Sequence, residues 1–533
     1  MGSGSSSSPP ACPWPAFSSG SALSPGADEH FWHARQSRRP LSLLLRFLAF
    51  LGFLALGAWL TTALREPTCS ELDVVASSLT APPRVWTPSR PADPSLLATI
   101  DLRLVHEQLL PAWFMALQRD PYSTGRDTEE RSFASLRNEA GKDPNLDEIL
   151  VTLRDWATMD PSLYSKQVDA SIRGWNQYLE QNGLPWYLAY HLEAGARGGR
   201  LFVRSYRVVA DLRASVSGDL HRVRVVSRAD HTNLGELFFG QSSDAQDGAI
   251  VVADRIMDFA MDRLWMPMDP GNDGSLPPMD REFAPALRAQ AALSLSAQAI
   301  QCLQAGATTR RAIEERMGDI AGRKKCGRSL ELGTLPWNGL TDRGRRLVRD
   351  AAAFNAQRGC KRLTGPDAAF LLEASDRLAG SACLRESLGA LGAWMARAVA
   401  VHEVRHLEDD LHAPKGERTP RCNGCPEGSG ATTRAEISAY LGSMATPGLG
   451  LLALFQACGL DTTRGDAATD ALHFVLPRVA TLGCTDGPPA ALNATAQSVE
   501  RSLFGRSDAI ELPRNFPAVL PFPWHRDSHV AAR

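Results

Sequence analysis

The chain has 533 residues, 44% of them hydrophobic and 22% charged, with a formal net charge of −2. That length supports two or three cored domains, and the near-neutral balance gives no electrostatic ground for a nucleic-acid partner. Ten cysteines raise the question of compartment, because clustered thiols outside the cytoplasm pair as disulfides.

Residues 1–40 are rich in Ser, Pro and Gly and show no hydrophobic period. Such a composition cannot bury a core, so a disordered cytoplasmic tail is expected. Arg35, Arg38 and Arg39 then precede the apolar run Leu41–Leu64, whose one charge is Arg46 near its start. From Phe47 to Leu64 the run is unbroken, roughly the ~18 residues at which a membrane-anchor helix becomes credible. The basic flank keeps the N-terminus cytoplasmic and exports the rest to the periplasm or cell surface. A cleaved signal peptide is the competing reading. Residues 65–96 are Pro-rich and aperiodic, as an extended linker would be.

The expected fold class beyond the anchor is α+β: a small α+β domain over 97–265, then a mostly helical domain over 279–511. Apolar spacing predicts helix over Leu97–Leu117 and again over Leu146–Trp156, with a polar loop between. Between Trp186 and Ser227, β-branched and aromatic residues alternate across Gly-rich turns, which reads as a three-strand antiparallel meander. A helix is expected at Ile250–Trp265. His191, His221 and His231 read as strand-face or surface positions. The Pro/Gly-rich segment Met266–Pro278 reads as a domain boundary. Beyond it helices are expected at Arg281–Gln304, Thr309–Ile320, Asp342–Gln357, Gly365–Leu378, Ser381–Leu411, Arg434–Met444 and Gly448–Ala457. Residues 512–533 are expected to form an extended tail.

The helix from Ser381 carries Leu384, Leu388, Leu391, Met395 and Val399 at helical spacing, and that stripe leads to His402 and His406. Together with Glu403 they spell H-E-x-x-H. Residues four apart share a helix face, so both imidazoles can reach one metal ion while Glu403 handles a proton. The bland alternative is a solvated helix end, given Arg405, Glu408, Asp409 and Asp410 nearby.

Over about residues 381–444 the sequence resembles the zincin metallopeptidases, and among them the gluzincins. That resemblance implies Zn2+ held by His402, His406 and a carboxylate from a following helix, Glu436 in Thr433-Arg434-Ala435-Glu436. It implies a peptide or protein substrate, with Glu403 as general base; the oxyanion then needs a second donor, for which Tyr440, one turn after Glu436, and Arg434 are the candidates. Asp409 or Asp410 would orient a histidine. Arg405 and Glu408 depart from the pattern, standing where the family carries uncharged and hydrophobic residues. Two alternatives stay open for the third ligand and its helix. His412 lies ten residues after His402, the metzincin spacing, with Asp409 in place of that family's Gly. Thr433-x-x-Glu436 would also serve as a capping box.

Cys422-x-x-Cys425 admits three readings: a redox pair, half of a structural zinc site, or cysteines bonded to others such as Cys458 or Cys484. The last, a stapled loop beside the site, is the one expected. Nine cysteines run from Cys69 to Cys484, so one is unpaired or bonds between chains. The functional expectation is a membrane-anchored zinc metallopeptidase acting outside the cytoplasm. Its competitors are a non-catalytic envelope protein with a degenerate motif and a zinc amidase acting on cell-wall peptides.

Overall fold

The computed structural model describes residues 91–521, apart from 119–124, 160, 162, 194–198, 231–238, 244–247, 331–334, 415–416, 418–419, 461–465 and 481–483. The run Leu41–Leu64 and the tail before it lie outside the described residues. Among the described residues no helix is long and apolar enough to cross a membrane.

The fold is mixed α+β and largely helical. Leu110–Leu117 (α1) follows a π turn at Val105–Leu109 and leads to Gly125–Ala140 (α2), Pro144–Ala157 (α3) and Ser165–Gln181 (α4). Helix α2 replaces the expected polar loop. Its apolar stripe is only Phe133, Leu136 and Ala140, too few to stand out in a charged stretch, yet at the 3–4 spacing that buries one face. Asp143 caps α3, accepting from the backbone N–H groups of Asn145 and Leu146.

Trp186–Glu193 (β1), Arg200–Val216 (β2) and Asp219–Arg228 (β3) form the antiparallel meander. The tight turn joining β2 to β3 holds Ser217 and Gly218 at positive φ, as two-residue hairpins of this hand require. Two more strands were not anticipated: Gly240–Ser243 (β4) and Gly248–Val252 (β5). The sheet order is β1-β2-β3-β5-β4, with β5 parallel to β3 and β4 antiparallel to β5 at the edge. Ile250–Val252, expected to begin a helix, is therefore strand. Every residue of β5 is buried, and a β-branched run buried on both faces suits a sheet interior. The helix starts at Ala253–Phe259 (α5) and continues to Met268.

Beyond it come Pro278–Ser294 (α6), Ala297–Gly322 (α7), Asp342–Gln357 (α8), Gly365–Gly380 (α9), Ala382–His412 (α10), Ala431–Ala445 (α11), Gly450–Cys458 (α12), Ala467–Val479 (α13) and Leu492–Phe504 (α14). The break expected near Gly306 falls instead at Ser296, whose hydroxyl caps α7 by accepting from Ala299 N–H. Gly306 has another reason to be small. A Cβ there would stand 2.6 Å from Leu384 Cδ1, so it lets α7 lie close against α10.

Two large apolar cores result, with a smaller cluster on the sheet around Tyr187, Tyr206, Val226 and Ile250. One joins α1–α4 to the near part of the sheet through Trp113, Trp175, Leu188 and Val203. The other begins on the sheet at Leu212 and Val223, passes through Met257 and Met268, and runs on to α10 and Leu520. It crosses Met266–Pro278 without interruption. Prolines and glycines gather there because the chain turns a corner, where Asp269 pairs with Arg311, and not because a core ends.

Four disulfides pair Cys302 with Cys383, Cys326 with Cys360, Cys422 with Cys425 and Cys458 with Cys484. Cys422 and Cys425 thus bond to each other and not to Cys458 or Cys484. Cys69 lies outside the described residues. Ile510–Glu511 (β6) pairs with β2, and the described part of the expected tail beyond it is packed as well: Phe516 and Leu520 are buried, and Leu520 N–H donates to the Gly389 carbonyl at 3.0 Å.

Candidate metal centre

Helix α10 is apolar and buried along most of its length, with Leu388, Leu391, Met395 and Val399 in the core. The same stripe delivers His402 and His406 to one face, their ring centroids 4.9 Å apart. Helix α11 packs alongside α10. It begins at Ala431 with Gly430 at its N-cap, so Thr433 lies inside the helix and does not cap it. Glu436 then falls one turn further on, facing the two imidazoles. Its Oε2 is 3.5 Å from His402 Nε2 and its Oε1 is 3.7 Å from His406 Nε2. The ligand atoms of His402, His406 and Glu436 all lie within 4.8 Å of one another. Their side chains retain 18%, 16% and 21% exposure, so one side of the group is open.

Glu403 sits beneath the edge of the sheet and is 7% exposed. A Cβ on Gly240 of β4 would stand 2.6 Å from Glu403 Cγ and 2.7 Å from its Oε1; glycine here leaves the room that the Glu403 side chain occupies. Burial lifts the Glu403 carboxyl to about 7, with the Glu436 charge adding to the rise, against the opposing pull of His402 and a hydrogen bond from Ser242.

The other groups divide the charge among themselves. Burial presses His402 down, but the hydrogen bond and charge of Glu436 outweigh it and hold the imidazole above its ordinary value. Burial and the His402 charge push His406 down to about 4, leaving it neutral at physiological pH. Burial would raise Glu436, yet its contacts with His402 keep it below the usual carboxylate range. Tyr440 follows one turn after Glu436, its ring 4.9 Å from that of His402. Burial drives its phenol well up, so it stays protonated.

No protein-family model, curated protein or solved structure matches the chain.

The donor set can be tested on chemistry alone. Zinc takes neutral imidazole nitrogens and carboxylate oxygens on bonds of ~2.0–2.2 Å, which sets tetrahedral ligand atoms about 3.4 Å apart. The two His–Glu separations are close to that and longer than a good charge-assisted hydrogen bond. His402, His406 and Glu436 therefore fit a divalent transition ion and could hold one.

Three further sequence candidates, His412, Asp409 and Arg434, are engaged elsewhere. His412 Nε2 lies 3.1 Å from Asp219 Oδ2 and 3.1 Å from Glu408 Oε1, in a group separate from His402 and His406. Asp409 pairs with Arg506 rather than with a site histidine. Arg434 donates to the Ser429 carbonyl at 2.9 Å. The two departures from the motif pattern are also accounted for. Arg405 points away from the imidazoles, donating to the Asp508 carbonyl at 2.6 Å and facing Glu500 at 3.2 Å. Glu408 is buried and lies 2.7 Å from His221 Nε2; His221 is thus a buried strand-face residue of β3, the first of the two readings, and not a surface one. Sequence reasoning missed Gly240 and Ser242. Gly-Gln-Ser-Ser has none of the β-branched or aromatic residues that mark a strand, and only the paired sheet brings it over Glu403.

Proposed function

We propose that the protein is a zinc-dependent metallopeptidase, anchored by Leu41–Leu64 with its site outside the cytoplasm. The observation that carries this reading is the convergence of Glu436, from a second helix, on His402 and His406, with Glu403 buried beside them under an edge strand. Four disulfides support an oxidising compartment. Zinc bound by these three residues would supply Lewis acidity and lower the pKa of a coordinated water.

The chain's own residues do the rest. Glu403, with a carboxyl held near neutrality, takes the proton of the attacking water and returns it to the leaving amine. Tyr440, kept protonated by burial, donates to the oxygen on which negative charge develops. Among the described residues β4 is an edge strand that pairs with β5, and its outer edge would align an extended peptide across Glu403.

The test uses the full chain loaded with zinc and a peptide library. Glu403→Gln should lower turnover by about 10²–10⁴-fold, the usual worth of a general base, while zinc content is unchanged. His406→Ala should lose the ion. Undiminished cleavage by Glu403→Gln would sink the mechanism.

A further inference from the structure

A second group of side chains sits at the C-terminal end of α10, and the reaction proposed above does not use it. Asp219 at the start of β3, with Glu408 and His412 one turn apart on α10, present ligand atoms that all lie within 4.8 Å of one another. His412 Nε2 is 3.1 Å from a carboxylate oxygen of each acidic residue. An imidazole Nε2 carries at most one proton, so it serves two carboxylates poorly as a hydrogen-bond donor. One cation placed among the three atoms would satisfy all of them.

The buried member is held in place for that purpose. Glu408 is 1% exposed, and its Oε2 is fixed by His221 at 2.7 Å, which leaves Oε1 turned toward His412. A ligating carboxylate oriented by a hydrogen-bond partner of this kind is the usual support around a metal. Arg506 stands 3.7 Å from Glu408 Oε1 but is in closer contact with Asp409. Glu408 and Asp409 thus share Arg506, and Arg405 also acts on Asp409.

We propose that Asp219 Oδ2, Glu408 Oε1 and His412 Nε2 form a second zinc site, with His221 as its positioning residue. One imidazole with two carboxylates suits zinc better than calcium, which prefers six to eight oxygens. Asp219 and His412 are half-exposed, so water can complete the coordination. The ion ties the β2–β3 turn to the end of the helix that carries His402 and His406.

Metal per chain, measured by elemental analysis on chelator-stripped full-length protein re-equilibrated with buffered zinc, tests this. The wild type should hold two equivalents. His412→Ala and Asp219→Asn should each hold one; both residues are half-exposed, and a thermal melt confirms that the variants fold. His406→Ala should also drop to one, and its combination with His412→Ala to none. A wild type with a single equivalent that only His406→Ala removes would overturn the proposal. So would a second equivalent that survives the His412→Ala, Asp219→Asn double variant, or a site that takes calcium and refuses zinc. If His412→Ala removes an equivalent while His406→Ala removes none, this site stands and the catalytic reading falls.

Discussion

Arg405 lies between the two histidines in sequence but on the flank of the helix, about 80° round from the face they share. Each helical residue turns about 100° from the last, so the angle was readable from the sequence. Its partners were not, because Glu500 and Asp508 belong to distant segments. Arg405 and Glu500 are each 1% exposed, and removing one member of a buried pair strands the other's charge. Glu500→Ala should cost about 3–5 kcal/mol in urea unfolding. Burial also lifts two neighbouring carboxyls, Asp409 to about 6 and Glu500 to about 7, against the pull of nearby arginines. A carboxyl whose folded value exceeds its unfolded one stabilises most below the unfolded value, about 4, and loses that contribution as pH rises through the folded value. Across about pH 4–7 these two groups therefore make stability fall with rising pH. The unfolding free energy of Glu500→Gln should slope less steeply over that window than that of the wild type, as urea melts at several pH values would reveal.

At the scale of elements, α10 was the most legible part of the chain, since an apolar stripe running into a histidine pair leaves little choice of face. Glu436 on the next helix was also within reach. The short strand β4 was not, because it owes its place to pairing with β5 and to close approach over Glu403. Gly240→Ala should show this: the added methyl must displace the Glu403 carboxylate and lower kcat by about 10²-fold, with the thermal midpoint nearly unmoved. Gly389 tests a different closeness. A Cβ there would run into the Leu520 carbonyl oxygen, which is backbone and cannot swing aside. Ala in place of Gly normally favours a helix by up to ~1 kcal/mol. Gly389→Ala should instead destabilise by about 1–3 kcal/mol, as overpacking does, and chemical denaturation would give the sign.

At the scale of the molecule, the α+β class and the meander followed from residue pattern, whereas core boundaries and cysteine pairing did not. Proline and glycine mark where a chain bends without saying whether a core stops there, which is why Met266–Pro278 read as a gap. Pairing depends on distances that spacing does not encode. The Cys302–Cys383 bond spans 81 residues, the largest loop among the four described disulfides, and removing it frees that loop in the unfolded chain. The Cys302→Ser, Cys383→Ser double variant should lose on the order of 4 kcal/mol. In the unfolded but unreduced protein, thiol titration should find at most two of the ten cysteines free.

Residues 506–520 double back along α10, with Arg506 on Asp409, the Asp508 carbonyl on Arg405 and Leu520 on Gly389. A ribosome finishes this strap roughly a hundred residues after the second imidazole, on the order of 5–20 s later at ordinary elongation speeds. Until then the nascent helix has both imidazoles in hand but lacks the clasp that seats it. If the proposed reading holds, the newborn chain stays idle until residues 506–520 have closed along α10.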